Sequence, residues 1–315
     1  MVFLFLLFMK YYLLFLLIFT QGVFAQEDET TNVAFGSIET YKNFESKFIA
    51  TRTVEVWLPD NYNTDEKFSV IYMQDGQNLF DIEKSNNQQS WDVDQIANNL
   101  YSNNLTKNFI VVAIWNNGVM RIAEYFPQKP YNHLTSEQKN TISTELKDTG
   151  YATTTFTPLS DNYLKFITTE LKPFIDKKYS THTNKENTVI AGSGLGGLIS
   201  MYAICEYPKV FGAAICMSTH WPGTFAVDDN PVPDAFVTYL KKRLPSPKDH
   251  KFYFDAGDQD SDAMYQPLQE KVDIVLAKKG YSDKNWLTKY YPGDNHSESA
   301  WKKRFSVPLE FILRK

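Results

Sequence analysis

Six residues, Gly192-Ser193-Gly194-Leu195-Gly196-Gly197, stand between a short apolar run and a stretch with helical spacing. Two chemistries use such a turn. In a G-x-S-x-G elbow a nucleophilic serine sits on a sharp strand-to-helix bend, with small residues two places to either side because the bend crowds its neighbours. Gly192 and Gly196 occupy those flanks, but Gly194 holds the serine's own place. The second chemistry is dinucleotide binding, for which Gly192-x-Gly194-x-x-Gly197 is a fingerprint that rests a pyrophosphate on a helix N-terminus. That reading lacks the acidic residue expected about 20 positions further on. Cys216-Met217-Ser218-Thr219-His220 follows there instead, and the glycines come late in the chain rather than after a first strand.

The nucleophile reading demands two further groups in a fixed order, an acid after a later strand and then a histidine. Asp258, Asp260 and Asp262 follow the apolar run at 251–254, and His296 lies in Pro292-Gly293-Asp294-Asn295-His296-Ser297 after the last strand pattern. An imidazole there takes the nucleophile's proton and returns it to the leaving group. Spacing alone leaves the orienting acid open among the three aspartates, and at least one of the carboxylates belongs to a solvated turn. Ser193 is a poor substitute nucleophile. Its flanks would be Ala191 and Leu195, leucine crowds the bend, and one step along the turn aims the side chain elsewhere. His133, His182, His220 and His250 show no i, i+4 pairing and no cysteine partners, so no metal is implied. His220-Trp221, at a strand end, is placed to line a cleft.

The elements that must position these groups are legible as alternating strands and helices. Residues 53–58 alternate and stop at Pro59, and 68–73 and 109–114 are continuous apolar runs suited to central strands of a mostly parallel sheet. Strands are expected at 188–191, 211–217, 251–254 and 286–291. Helices are expected at 163–175, kinked near its end by Pro173, and at 198–206, 267–278 and 301–313. The alternation predicts right-handed crossovers and a three-layer α/β sandwich. Residues 128–157 fit no element and read as a lid or a disordered loop.

A chain of 315 residues with 43% hydrophobic content can bury one large α/β core. A net charge of −5 leaves no basic excess to neutralise phosphates, so nucleic acid is not an expected partner. Residues 1–19 are almost wholly apolar with Lys10 the only charge, and Val23-Phe24-Ala25 supplies a signal-peptidase site before Gln26. Met9-Lys10 would be the more usual start of such a segment. An uncleaved anchor is the other reading; both put the domain outside the cytoplasm, secreted or periplasmic. No cysteine lies near residue 25 to carry a lipid. Residues 26–44 then read as an N-terminal linker or extension, and 45–315 as the domain. Cys205 and Cys216 lie in apolar runs as two buried thiols, although the compartment permits a disulfide. Sequons at Asn104 and Asn295 matter only in a glycosylating host.

Several ordered segments resemble one family. Tyr72-Met73-Gln74-Asp75-Gly76-Gln77-Asn78-Leu79-Phe80-Asp81 is similar to a signature of the α/β-hydrolase esterases that include siderophore, acetylxylan and feruloyl esterases and S-formylglutathione hydrolase relatives; Gln74 stands where that family has histidine. The run from Ala113 to Pro127 with Arg121, Glu124 and Tyr125, the glycine turn with Tyr207-Pro208, the stretch from Phe254 to Tyr265, and His296-Ser297-Glu298-x-x-Trp301 resemble the family's other segments. The resemblance implies an α/β-hydrolase fold and ester hydrolysis by a Ser-His-Asp triad without cofactor. It also implies Asp260, three residues after Gly257, as the favoured orienting acid with Asp262 as the alternative, oxyanion donors at the backbone N–H groups of Gln77 and Leu195, and binding of a small-molecule or carbohydrate ester near Asp75, Gly76, Glu124, Tyr125 and Trp221. At residue 194 the chain departs from the pattern, which makes a non-catalytic binder the expected outcome and hydrolysis through Ser193 or a His296-activated water the alternative.

Overall fold

The computed structural model describes residues 31–225 and 229–315; the expected signal segment lies outside the described residues. Eight strands form one sheet: β1 (Ser37–Phe44), β2 (Arg52–Leu58), β3 (Ser69–Gln74), β4 (Phe109–Ile114), β5 (Thr188–Ser193), β6 (Ala213–Met217), β7 (Lys251–Ala256) and β8 (Trp286–Tyr290). Their spatial order is β1-β2-β4-β3-β5-β6-β7-β8. β1 and β2 pair antiparallel, as do β2 and β4, and every other neighbouring pair is parallel. Strands β3 to β6 are buried along their whole length, as their uninterrupted apolar runs required.

Successive side chains of each strand feed opposite faces. On one face Val70, Tyr72 and Ile190 pack with residues of helices Leu195–Glu206, Val232–Arg243 and Gln266–Lys279. On the other, Ile71, Met73 and Val189 pack with helices Val93–Ser102, Glu298–Arg304 and Ser306–Leu313. The result is the expected three-layer sandwich. Cys205 and Cys216 are both buried free thiols. No helix among the described residues is long and apolar enough to cross a membrane.

Three expectations are corrected. The linker assigned to 26–44 ends early, because Ser37–Phe44 forms edge strand β1 in register with β2. Residues 128–157 are not a disordered loop: they hold helices Gln128–Asn132 and Ser136–Asp148. The second starts on a capping box, in which Thr135 Oγ1 accepts from the Gln138 N–H and Gln138 Oε1 from the Thr135 N–H. The Pro173 kink is resolved upstream, by a π turn over Phe166–Leu171 between helices Ser160–Lys165 and Lys172–Lys178. Proline gives no N–H to the carbonyl four residues back and its ring crowds it, and a wider turn relieves both.

Candidate active site

Parallel strands deliver their carboxyl-end loops to one edge of the sheet, and there the sequence-predicted groups meet. Gly194 follows β5 directly and caps the helix Leu195–Glu206, with φ 56° and ψ −121°. That backbone is strained for any L-residue and natural for glycine. The flanking glycines are forced by crowding: a Cβ on Gly192 would lie 2.7 Å from the Gly196 backbone, and one on Gly196 3.2 Å from Asp75 Oδ2. A Cβ placed on Gly194 would point elsewhere, to 3.1 Å from His296 Nε2 and 3.3 Å from its Cε1.

His296 comes from the loop after β8, and its Nδ1 bonds Asp262 Oδ1 at 2.7 Å. Asp262, not Asp260, is therefore the imidazole's partner. Asp260 is exposed with φ 52°, opening a short 3₁₀ turn that swings its side chain out and brings Asp262 inward two residues later. Asp258 is the solvated turn carboxylate, capping the Gly293 N–H at 2.8 Å. Asp262 is fully buried, and burial pushes its carboxyl up, but hydrogen bonds from His296 and Ser218 outweigh this and hold it below the ordinary carboxylate value.

Behind Asp262 lies a buried polar cluster that the sequence reading missed. Ser218 Oγ donates to Asp262 Oδ2 at 2.5 Å and accepts from Trp301 Nε1 at 2.9 Å and Arg304 Nη2 at 2.8 Å. Arg304 also pairs with Asp255 at 3.0 Å. Burial pushes the Asp255 carboxyl up to about 6 despite that cation. Ser218 itself is buried at φ 39°. These contacts fix which Asp262 oxygen faces the imidazole.

Gly194, Ser193, Leu195 and His296 line one cavity of about 500 Å³. No hydrogen bond joins Ser193 to His296 among the described residues. The Leu195 N–H opens its helix, and the Gln77 N–H sits in the first turn of the 3₁₀ segment Gly76–Asn78; neither has an acceptor within its own helix. Gln74 reaches the cavity, and Tyr163 donates to its Oε1. Asp75 lines the wall, held by Arg121 through two 2.7 Å bonds and by Asn116 Nδ2 at 2.7 Å. His220 also lines it. Its Nε2–H donates to the Thr224 carbonyl at 2.9 Å, so Nδ1 accepts from the Tyr265 hydroxyl at 2.7 Å, and burial pulls its pKa down to about 4.

The other expected binding residues stand behind the wall. Glu124 forms a buried bidentate pair with Arg52 at 2.7 and 3.0 Å. Tyr125 is fully buried, its hydroxyl accepting from the Asp75 N–H. Trp221 packs against Phe236 and Phe254 and donates to Gln269. Gly76 is pressed against the β4 backbone, and the Gln77 side chain accepts from the Asn116 N–H. From the 128–157 segment only Tyr151 reaches the cavity, stacked on Phe225 with ring centroids 4.7 Å apart.

A sheet in this order, with an elbow after β5, an acid after β7 and a histidine after β8, defines the α/β-hydrolase fold. The chain belongs to the family described as "Putative esterase", whose pattern matches residues 46–312. It is 23% identical over 272 residues to the protein YbbA of Bacillus subtilis (strain 168), spanning 84% of this chain and 93% of that one. Among solved structures it is similar to the BES protein from Bacillus cereus, with TM-score 0.64 and 19% identity over 91% of this chain and all of that one. A CE1 ferulic acid esterase from Anaeromyces mucronatus has TM-score 0.61 and 18% identity, with 89% and 91% of the two chains covered. The enterobactin esterase FES from Shigella flexneri has TM-score 0.58 and 15% identity, with 90% and 60% covered. The ancestry is that of an ester hydrolase.

Proposed function

We propose that this protein is an exported esterase relative whose site binds an ester without turning it over through an acyl-enzyme. One observation carries the reading: an imidazole already bonded to a buried carboxylate aims its free nitrogen at the nucleophile position of the elbow, where Gly194 offers no side chain. In an active relative a hydroxyl at 194 would attack the ester carbonyl, His296 Nε2 would take its proton, and the N–H groups of Gln77 and Leu195 would hold the oxyanion. Here the base, the orienting Asp262 and both donors remain without the attacking atom. The ligand is a small-molecule or carbohydrate ester, and the chemistry needs neither metal nor cofactor. Nucleic acid is no partner, because the chain is acidic. Residues 1–25 direct export, and the mature chain begins at Gln26, secreted or periplasmic and free of a membrane span.

The same void favours one secondary reading. A water held beside Gly194 would be within reach of His296 Nε2, so slow direct hydrolysis by single displacement is the activity to look for. Assay of p-nitrophenyl acetate with the natural chain and with Gly194→Ser separates the two. The binder reading expects background release from the natural chain and turnover from the serine variant. Turnover by the natural chain that is lost in His296→Ala and kept in Ser193→Ala would establish the water route in its place.

A further inference from the structure

Glu298 is the first residue of the helix Glu298–Arg304 and lines the same cavity as Gly194 and His296. It is 95% buried by its 5% exposure, yet its only polar partners are neutral amides. Asn78 Nδ2 donates at 3.2 Å, and Asn87 Nδ2 lies 3.3 Å from each oxygen. No lysine, arginine or histidine forms an ion pair with it among the described residues. Arg121, on the cavity wall, spends both ends of its fork on Asp75, and its charge reaches Glu298 only through space. Both carboxylate oxygens are hydrogen-bonded, but only by neutral amides and with no cation in contact among the described residues, so a positive group in the cavity would add to their stabilisation.

The neighbouring wall adds a second feature of the same sign. Trp91 and Trp301 line the cavity as a tilted pair with ring centroids 5.4 Å apart, and Trp301 is held in place by its bond to Ser218. Both rings are almost fully buried, and the limited indole surface they turn to the cavity attracts cations, so a carboxylate beside it suits an alkylammonium group. An anionic ligand would meet Glu298 with no free positive group to offset it.

Resting on the reading of the cavity as an ester-binding site, we propose that it selects esters bearing an alkylammonium group, whose cation lies against Glu298 and the Trp91 and Trp301 rings. The test uses the natural chain and calorimetric titration with three probes: acetylcholine, its neutral carbon isostere, and acetoxyacetate as the anion. The cationic ester is expected to bind at least about tenfold tighter than its isostere, and the anion weakest. In Glu298→Gln the preference should fall to within about twofold while the neutral ester still binds. Should that variant fail to fold, Asn87→Lys places an ammonium beside the carboxylate and should abolish the preference instead. Equal affinities for cation and isostere, tighter binding of the anion, a preference that survives both variants, or no binding of acetylcholine at millimolar concentration overturns the proposal. Acetate release in the same samples reports separately on whether the site is catalytically silent, so the two readings fail independently.

Discussion

Restoring a hydroxyl at residue 194 carries two opposed magnitudes. In Gly194→Ser the new Cβ would stand 3.1 Å from His296 Nε2, so the imidazole must yield by a few tenths of an ångström. His296 is partly exposed and its loop is held through Asp262, which lets it do so. The backbone at φ 56° and ψ −121° lies in a sparsely populated region that costs an L-residue about 1–3 kcal/mol. Unfolding free energy should therefore fall by about that amount, and Tm by roughly 2–4 °C per kcal/mol. Chemistry moves the other way. Loss of a serine nucleophile has cost about 10⁶ in rate in a serine protease, while misplacement of a group by a fraction of its proper geometry costs on the order of 10². A gain of about 10³ to 10⁴ in p-nitrophenyl acetate turnover follows, about 4–5 kcal/mol of barrier. A folded serine variant as silent as the parent would refute the reasoning, because every other part of the machinery is then present and idle.

Within that serine background, Asp262→Asn should lower kcat by about 10⁴ by imposing the wrong imidazole tautomer, whereas Asp260→Asn should change it less than about threefold; a reversed pattern in the same assay would return the orienting role to Asp260. His220 is buried neutral with its pKa lowered to about 4 against 6.5 in the unfolded chain, so its contribution is present above pH 6.5 and lost as pH falls toward 4, at most about 3 kcal/mol. Urea unfolding across that window should show the loss, and His220→Gln should flatten it. Arg52→Ala strands the buried Glu124 carboxylate and should cost about 3–5 kcal/mol in the same measurement. Replacing both partners with apolar residues should cost far less.

The sheet was legible because its central strands are uninterrupted apolar runs, a signal that survives without any partner in view. Edge strand β1 was not: in Ser37–Phe44 no residue is fully buried, the half-buried Ile38, Tyr41 and Phe44 keep no strict alternation, and only its register with β2 makes it a strand. The helix Ser136–Asp148 carried a readable start in Thr135 and Gln138, overlooked because its body is polar. At the site, elbow and histidine followed from spacing, but Asp258, Asp260 and Asp262 crowd into five residues, and a single positive φ at Asp260 decides which turns inward. Ser218 and Arg304 come from distant segments, and only the fold brings them together behind Asp262; Glu298 stands two residues from His296, but its place on the cavity wall shows only in the fold. Glu124 and Tyr125 belong to a matching segment yet stand behind the cavity wall, Glu124 paired with Arg52 and Tyr125 accepting from the Asp75 N–H, while Trp221 packs on Phe236 and Phe254; a shared motif records the scaffold as well as the site.

Treatment of the natural chain with a fluorophosphonate, followed by intact mass and peptide mapping, tests the absence of a working nucleophile most directly. The account predicts no adduct on the natural chain and a single adduct at residue 194 in Gly194→Ser. An adduct on the natural chain mapped to Ser193 would contradict it.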